Sequence, residues 1–261
     1  MIDAISGDFL RKPCAGTGIA HAAGTVFDPI LKHTGAFSEV DPEVLQRLEA
    51  SGTSHSARQG DAFWRRGDAP LGLVVIKHGL VKLVRSNARG RSVVCGLLGP
   101  LETVGDVELV SGDPYEADAL AASAWASVVV IPREAVLEGI KRDPKLAAAL
   151  AGCVESELGA LELAVDVLSA GSVTKRLATL LLKLDERFGE EDDGCRRIPV
   201  RLSRRDLGEC VFTHFETAIR VMVKWERDHV VTRDAAGFLL HDPAALHKII
   251  GDLEQASTAA A

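Results

Sequence analysis

Residues 147 to 168 constrain the chain more than any other stretch. Apolar side chains stand at Ala147, Ala151, Val154, Leu158, Leu161, Val165 and Leu168, in steps of four, three, four, three, four and three. That spacing draws one narrow stripe along an α-helix, narrower than the face a helix usually buries against its own domain. Two copies can interlock such stripes knobs into holes; one copy can also lay the stripe on its own domain. The spacing therefore predicts a long helix. In the first reading it also predicts a homodimeric seam carried by Val154, Leu158, Leu161, Val165 and Leu168.

Upstream of that helix the texture is different. Leu71 to Ile76, Leu80 to Arg85, Val93 to Leu98 and Ala126 to Ile131 are short, rich in Val, Leu and Ile, and punctuated by turns. Gly-Asp pairs recur at 60–61, 67–68, 105–106 and 112–113. Short strands broken this often suggest a sandwich or barrel. Before them, Asp41 is placed to cap a short helix with Pro42 at its first position and Val44, Leu45 and Leu48 on one face. Residues 1 to 35 lack periodicity and are expected to form a mobile arm.

Downstream, Gly171-Ser172 interrupts the long helix. A second amphipathic helix follows with Val173, Leu177, Leu180, Leu181 and Leu184 apolar, and Gly189 to Gly194 reads as an acidic loop. Two short helices joined by a tight turn come next. Ser203 can cap the first, in which Leu207 and Val211 face inward. The second runs from about Phe215 to Asp228, with Ala218, Val221, Met222 and Trp225 on its buried side. That leaves Glu216, Thr217, Ile219, Arg220 and Lys224 facing solvent or a partner. Val230 to Arg233 and Phe238 to Leu240 flank Ala235-Ala236-Gly237 as a hairpin.

Two helices and a hairpin in this order suit reading of a major groove. A carboxylate near the helix start can accept from cytosine N4, and an arginine one turn later can fork onto guanine O6 and N7. Ser203, Arg204 and Arg205 are placed to hold phosphates through backbone amides and charge. The overall charge speaks against this at first: 30 Lys and Arg stand against 37 Asp and Glu, a net of −7. Counted by segment, residues 1–171 carry −6, whereas residues 194–233 hold nine basic and five acidic residues, a net of +4. The reading head is locally basic, with modest non-specific affinity expected.

The stretch Asp206-Leu207-Gly208, then Glu216-Thr217-Ala218-Ile219-Arg220, then Trp225-Glu226-Arg227 resembles the C-terminal signature of the CRP/FNR family of bacterial transcription regulators. Upstream, Gly60-Asp61, Trp64 to Asp68, Val75 to Leu83, Leu98-Gly99-Pro100 and Val104 to Leu109 are similar to that family's sensor strands. The resemblance covers about residues 37 to 250. It implies an α+β chain with an N-terminal β-roll (a jelly-roll of the cyclic-nucleotide-binding kind) over 36–142. A dimerisation helix at 143–171, a winged helix-turn-helix domain at 172–250 and a tail at 251–261 follow. It also implies a homodimer on a palindromic DNA operator, with RNA polymerase as a further partner. His214 and Phe215 join the candidate DNA contacts. Phe212 and His214 depart from the small residues that usually form and cap the turn.

The same resemblance places the candidate effector pocket at Gly105, Asp106, Val107, Tyr115 and Glu116. Cyclic-nucleotide binders carry an arginine and then a small hydroxyl residue there, because a buried phosphodiester needs a cation and donors. Tyr115 and Glu116 stand instead, so weak or no cAMP binding is expected. An iron–sulfur cluster needs four thiolates, and the five cysteines are scattered, with Cys14 alone in the arm and Cys95 a lone second candidate. His21, His33, His55, His78 and Cys14 could supply axial ligands, which leaves haem open as a cofactor. Trp64, Tyr115 and Trp125 could line an apolar pocket or serve as core aromatics.

No metal set is expected and no catalytic residue is assigned. A cupin-like enzyme would need His-x-His, which does not occur, and GxSxG and Walker motifs are missing too. A β-roll scaffold that binds an effector without DNA is the remaining alternative. No apolar run approaches the ~20 residues of a membrane span, no signal peptide is evident, and scattered free thiols fit a reducing cytoplasm.

Overall fold

Side-chain alternation decides the first half of the fold. In a computed structural model describing residues 29–87 and 92–251, helix α1 (Pro42–Ser51) starts where expected: the Asp41 side chain accepts from the Glu43 amide at 2.7 Å. Eight strands follow: β1 (Thr53–Arg58), β2 (Ala62–Trp64), β3 (Gly72–His78), β4 (Val81–Ser86), β5 (Ser92–Leu98), β6 (Thr103–Val104), β7 (Asp118–Ala121) and β8 (Trp125–Pro132). They form two four-stranded antiparallel sheets, ordered β1-β8-β3-β6 and β2-β7-β4-β5. Val74 and Ile76 of β3 meet Val81 and Leu83 of β4 between the sheets, while Leu73 and Val75 point the other way into a helical core. Coverage on both faces is why the strands read as unbroken apolar runs. The glycines of all four Gly-Asp pairs have positive φ: Gly60 and Gly67 in turns between strands, Gly105 and Gly112 at the two ends of the short helix Asp106–Ser111.

The helical core corrects the expected arm. Residues 1–28 lie outside the described residues. Ile30 and Leu31, however, are buried against α1 and the first sheet, and the Leu31 amide donates to buried Glu49 at 2.7 Å. Apolar side chains within a Gly- and Ala-rich context carried too little periodicity to be read as packed.

After α2 (Asp106–Ser111) and α3 (Arg133–Arg142), helix α4 (Lys145–Ser169) carries two stripes rather than one. Leu146, Leu150, Cys153, Glu157, Ala160, Ala164 and Val167 are buried within the protomer. The predicted seam lies on another face. Leu158, Leu161 and Val165 are 53%, 41% and 64% exposed, and Val154 and Leu168 are half-buried.

Ser172 caps α5 (Val173–Phe188). The expected acidic loop is instead a hairpin of β9 (Glu190–Asp192) and β10 (Cys195–Ile198). Asp193 and Gly194 both adopt positive φ, the two-residue Asp-Gly turn that matches strand twist; acidity masked that signal. Helices α6 (Arg204–Cys210) and α7 (Phe215–Arg227) precede β11 (Val231–Arg233), β12 (Phe238–Leu240) and α8 (Pro243–Gly251). Strands β11 and β12 pair as the predicted hairpin, in a sheet ordered β11-β12-β10-β9. Among the described residues no helix is long and apolar enough to cross a membrane.

The two halves share a core. Val84, Val94 and Leu97 on the outer face of the second sheet cluster with Leu180, Leu207 and Trp225. Lys82, on the same face of β4 as Val84, is 6% exposed and reaches α6, where it pairs with Asp206 and, at 3.2 Å, with Glu209. Burial alone would lower its pKa, but the two carboxylates outweigh that and hold the ammonium above its ordinary value. Arg187 of α5 adds a second tie, donating to the Leu97 carbonyl at 2.8 Å and to Glu102 at 2.7 Å. Lys82→Met leaves the buried Asp206 carboxylate without its ammonium, while Glu209 keeps Arg205, at a cost of about 3–5 kcal/mol. Calorimetry should resolve two unfolding transitions where the parent chain shows one. One transition at unchanged temperature would mean the pair ties nothing together.

Candidate nucleic-acid interface and ligand pocket

Helix α6 begins with reciprocal caps. The Asp206 amide donates to Ser203 Oγ at 3.1 Å, and the Ser203 amide donates to Asp206 Oδ2 at 2.7 Å. The Ser203 amide is therefore already satisfied inside the protein. Arg205 is likewise engaged, with Glu209 at 2.7 Å. Arg204 is exposed and has no ion pair among the described residues.

The turn to α7 is tight despite its unusual residues. The Thr213 amide donates to the Gly208 carbonyl at 2.9 Å. A Cβ on Gly208 would stand 3.0 Å from the Thr213 carbonyl oxygen and 3.1 Å from Phe215 Cα, so the helices approach this closely only over glycine. Phe212 takes the left-handed conformation, φ +49, where a side chain is strained. His214 stands at the N-cap of α7 and its side chain makes no capping bond.

Helix α7 buries Ala218, Met222 and Trp225; Val221 is half-buried rather than buried, because it sits at the edge of the packed face. Glu216, Arg220 and Lys224 are exposed, Thr217 and Ile219 half-buried, and Phe215 is 46% exposed at the helix start. Glu216, Arg220 and Lys224 make no ion pair among the described residues. By contrast, Arg196 and Arg197 are tied to Asp185, Glu191, Asp192 and Asp234. Asp234 shapes the hairpin turn by accepting from the Ala236 and Gly237 amides. Those bonds and Arg197, the larger influence, hold its carboxyl down at about 2.

The predicted pocket residues Gly105, Val107, Tyr115 and Glu116 line one cavity of about 290 Å³ together with Trp64, Leu83, Cys95, Glu157 and the seam residues Val154, Leu158 and Leu161. Tyr115 stacks on Trp64 with centroids 4.2 Å apart, and its hydroxyl accepts from the Leu71 amide at 3.0 Å. Its ring thus forms a wall. Glu116 pairs with Arg85 at 2.7 Å. Asp106 is not part of the lining; it is 1% exposed, and among the described residues Thr103 is the hydroxyl beside its carboxylate, with no bond of normal length to either oxygen. Burial, opposed by the Thr103 side chain and reinforced by the carboxylates of Glu157 and Glu108, pushes its carboxyl up to about 7.

Sequence reasoning missed Glu157. Its carboxylate accepts from the Asp106 amide at 2.9 Å, and the amides of Gly105 and Val107 act on it too. Its one legible signal was a charged residue on the buried stripe of α4. The proposed haem ligands within the described residues, His33, His55 and His78, do not converge. His55 bonds Thr53 at 2.9 Å on β1, His78 stacks on the half-exposed Trp125 ring, and neither lines the cavity, nor does His33. Cys14 and His21 lie outside the described residues, and Trp125 borders a different groove.

Comparison with known proteins matches these two assemblies separately. Residues 54–143 match the cyclic nucleotide-binding domain, and residues 175–249 match the Crp-like helix-turn-helix domain. The chain belongs to the CRP/FNR family of transcription regulators. It is 22% identical to a CRP-like cAMP-activated global transcriptional regulator of Mycobacterium tuberculosis, over 84% of this chain and 97% of that protein. It is 24% identical to the transcriptional activator protein Anr of Pseudomonas protegens, over 74% and 79%. Among solved structures, FixK2 from Bradyrhizobium japonicum shares the fold with a TM-score of 0.65 at 22% identity, covering 76% of this chain and 96% of that one. As a CRP/FNR regulator the chain binds DNA, and its relatives are transcription regulators rather than enzymes.

Asp106 gives the regulator a pH-dependent stability. Between pH 3.8 and about 7 the folded form keeps a proton that the unfolded chain has lost, so stability falls as pH rises through that window. Asp106→Asn should stabilise the protein at pH 8, by on the order of 2–4 kcal/mol, and have little effect near pH 4. Thermal melts at both values check this; an equal shift at both would contradict it.

Proposed function

We propose that this regulator acts as a homodimer that reads a palindromic operator and does so without cAMP. The observation that carries the reading is the bare stripe of α4. Leu158, Leu161 and Val165 stand in solvent on a helix whose opposite face is fully packed. Unpartnered apolar side chains at heptad spacing are what a second copy would cover. With Val154 and Leu168 they would form the seam.

A two-fold dimer brings two α7 helices to successive major grooves, about 34 Å apart. Arg220 would fork onto guanine, Glu216 accept from cytosine, and Thr217, Ile219 and Lys224 complete the reading face. Phe215 and His214 at the helix start, with Arg204, would meet the backbone and adjacent base edges. Ser203 and Arg205 serve first through the cap and the Glu209 pair, and contact phosphate beside Arg204. RNA polymerase is the partner that regulation from such a site implies.

Independence from cAMP is supported by the pocket. Tyr115 fills the place of the phosphate-binding arginine, Glu116 is a carboxylate beside it, and Glu157 already takes the amides of the cassette. Among the described residues no histidine lines the cavity, and haem is not proposed there.

Arg220→Ala should cost ~1–3 kcal/mol on the cognate site and relax choice at one base pair per half-site. Gel shifts on a set of single-base operator variants measure this; unchanged affinity and base preference would remove α7 from its reading role. Leu161→Lys should sediment as a monomer and lose operator affinity. A variant that stays dimeric would refute the seam.

A further inference from the structure

The cavity between α2, α4 and the second sheet has the wrong chemistry for an anion and a coherent chemistry for something else. Its volume of about 290 Å³ sits at the low end of small-molecule sites. Most of the wall is apolar, built on the stacked Trp64–Tyr115 pair and on Leu158 and Leu161. Among the described residues its one cation is Arg85, which pairs with Glu116 at 2.7 Å, and Arg66 stands 3.6 Å from the same carboxylate.

The remaining charged groups of the wall are both acidic. Glu157 is 7% exposed and occupies the backbone amides at the start of α2, the donors an anionic ligand would need. Glu108 is half-buried at the rim; its Oε1 accepts a single bond from the Glu116 amide at 3.2 Å, and its Oε2 has no bonded partner among the described residues. An anion entering here would displace Glu157 and face Glu108, with no unpaired cation among the described lining residues. A positively charged group would meet a half-buried carboxylate in a wall that also contains the stacked Trp64 and Tyr115 rings, a setting that suits an organic cation.

We propose that this cavity takes a small organic cation with an apolar body, its charge held at Glu108 and its body against Trp64, Tyr115 and the α4 leucines. The inference rests on the reading of the chain as a regulator that does not use cAMP. Because Leu158 and Leu161 belong to both the cavity and the proposed seam, occupancy would act on the residues through which two copies meet. A bound cation would shift the dimer only by its differential affinity for the two states.

Titration calorimetry on the full chain, at fixed ionic strength, compares three probes of similar body: benzyltrimethylammonium, benzyl alcohol and benzenesulfonate. The expected result is saturable binding of the cation, one per protomer, with a Kd about tenfold or more below those of the other two. Glu108→Gln, which keeps the shape of the side chain, should erase that advantage. Equal or tighter binding of the alcohol or the sulfonate, or no saturable binding of the cation, would overturn the proposal. So would an advantage that survives in Glu108→Gln. The wild-type comparison decides the matter even if the variant fails to fold. Operator binding is measured separately on the same preparation: DNA binding without cation binding defeats this inference alone, whereas loss of sequence-specific DNA binding defeats the regulator reading.

Discussion

Everything in this protein is arranged around one helix with two apolar stripes. The inner stripe of α4 closes the helical core through Leu146, Leu150 and Cys153, touches the inter-sheet core at Ala160, and reaches the C-terminal core at Val167. One element therefore belongs to all three hydrophobic clusters. The outer stripe belongs to none of them, and its Val154, Leu158 and Leu161 border the pocket. A helix packed on one side and bare on the other has a definite physical demand, which a second copy at heptad spacing satisfies without altering the first.

Buried charge sets how the parts of the regulator are held. Lys82 with Asp206 and Glu209 joins the sensor sheet to the first helix of the reading head, and Glu157 joins α4 to the start of α2. Such groups add little net stability against an apolar alternative, but each is costly to break and each fixes one relative placement. Asp206 serves twice, as the far half of the Ser203 cap and as the Lys82 partner. A change in how the sensor holds α6 would therefore be felt at the N-terminus of the helix that precedes the reading helix.

Much of this was legible because the relevant signals are local. Heptad spacing gave α4, the Gly-Asp pairs marked turns, and Ser203 marked the start of α6. Glu216, Arg220 and Lys224 were read as outward-facing from helical periodicity alone, and they are exposed. What escaped was non-local or masked. Lys82 and its partners are more than 120 residues apart in the chain, so no window contains both. The role of Glu157 depends on amides 51 residues away. The β9–β10 hairpin hid behind its acidity, and Ile30 and Leu31 behind the small residues around them. Phe212 was noticed as out of place; the backbone kept its turn and put the strain on that residue instead.

The central claim is that a dimer built on the outer stripe of α4 reads a symmetric site with no cyclic nucleotide bound. The most direct measurement is selection of duplexes from a random pool by the purified full chain, with and without cAMP. The account predicts a two-fold symmetric sequence whose half-sites lie one helical turn apart, about 10 base pairs, recovered equally in both arms. A pool that converges only when cAMP is present, or that converges on a site without two-fold symmetry, would contradict it.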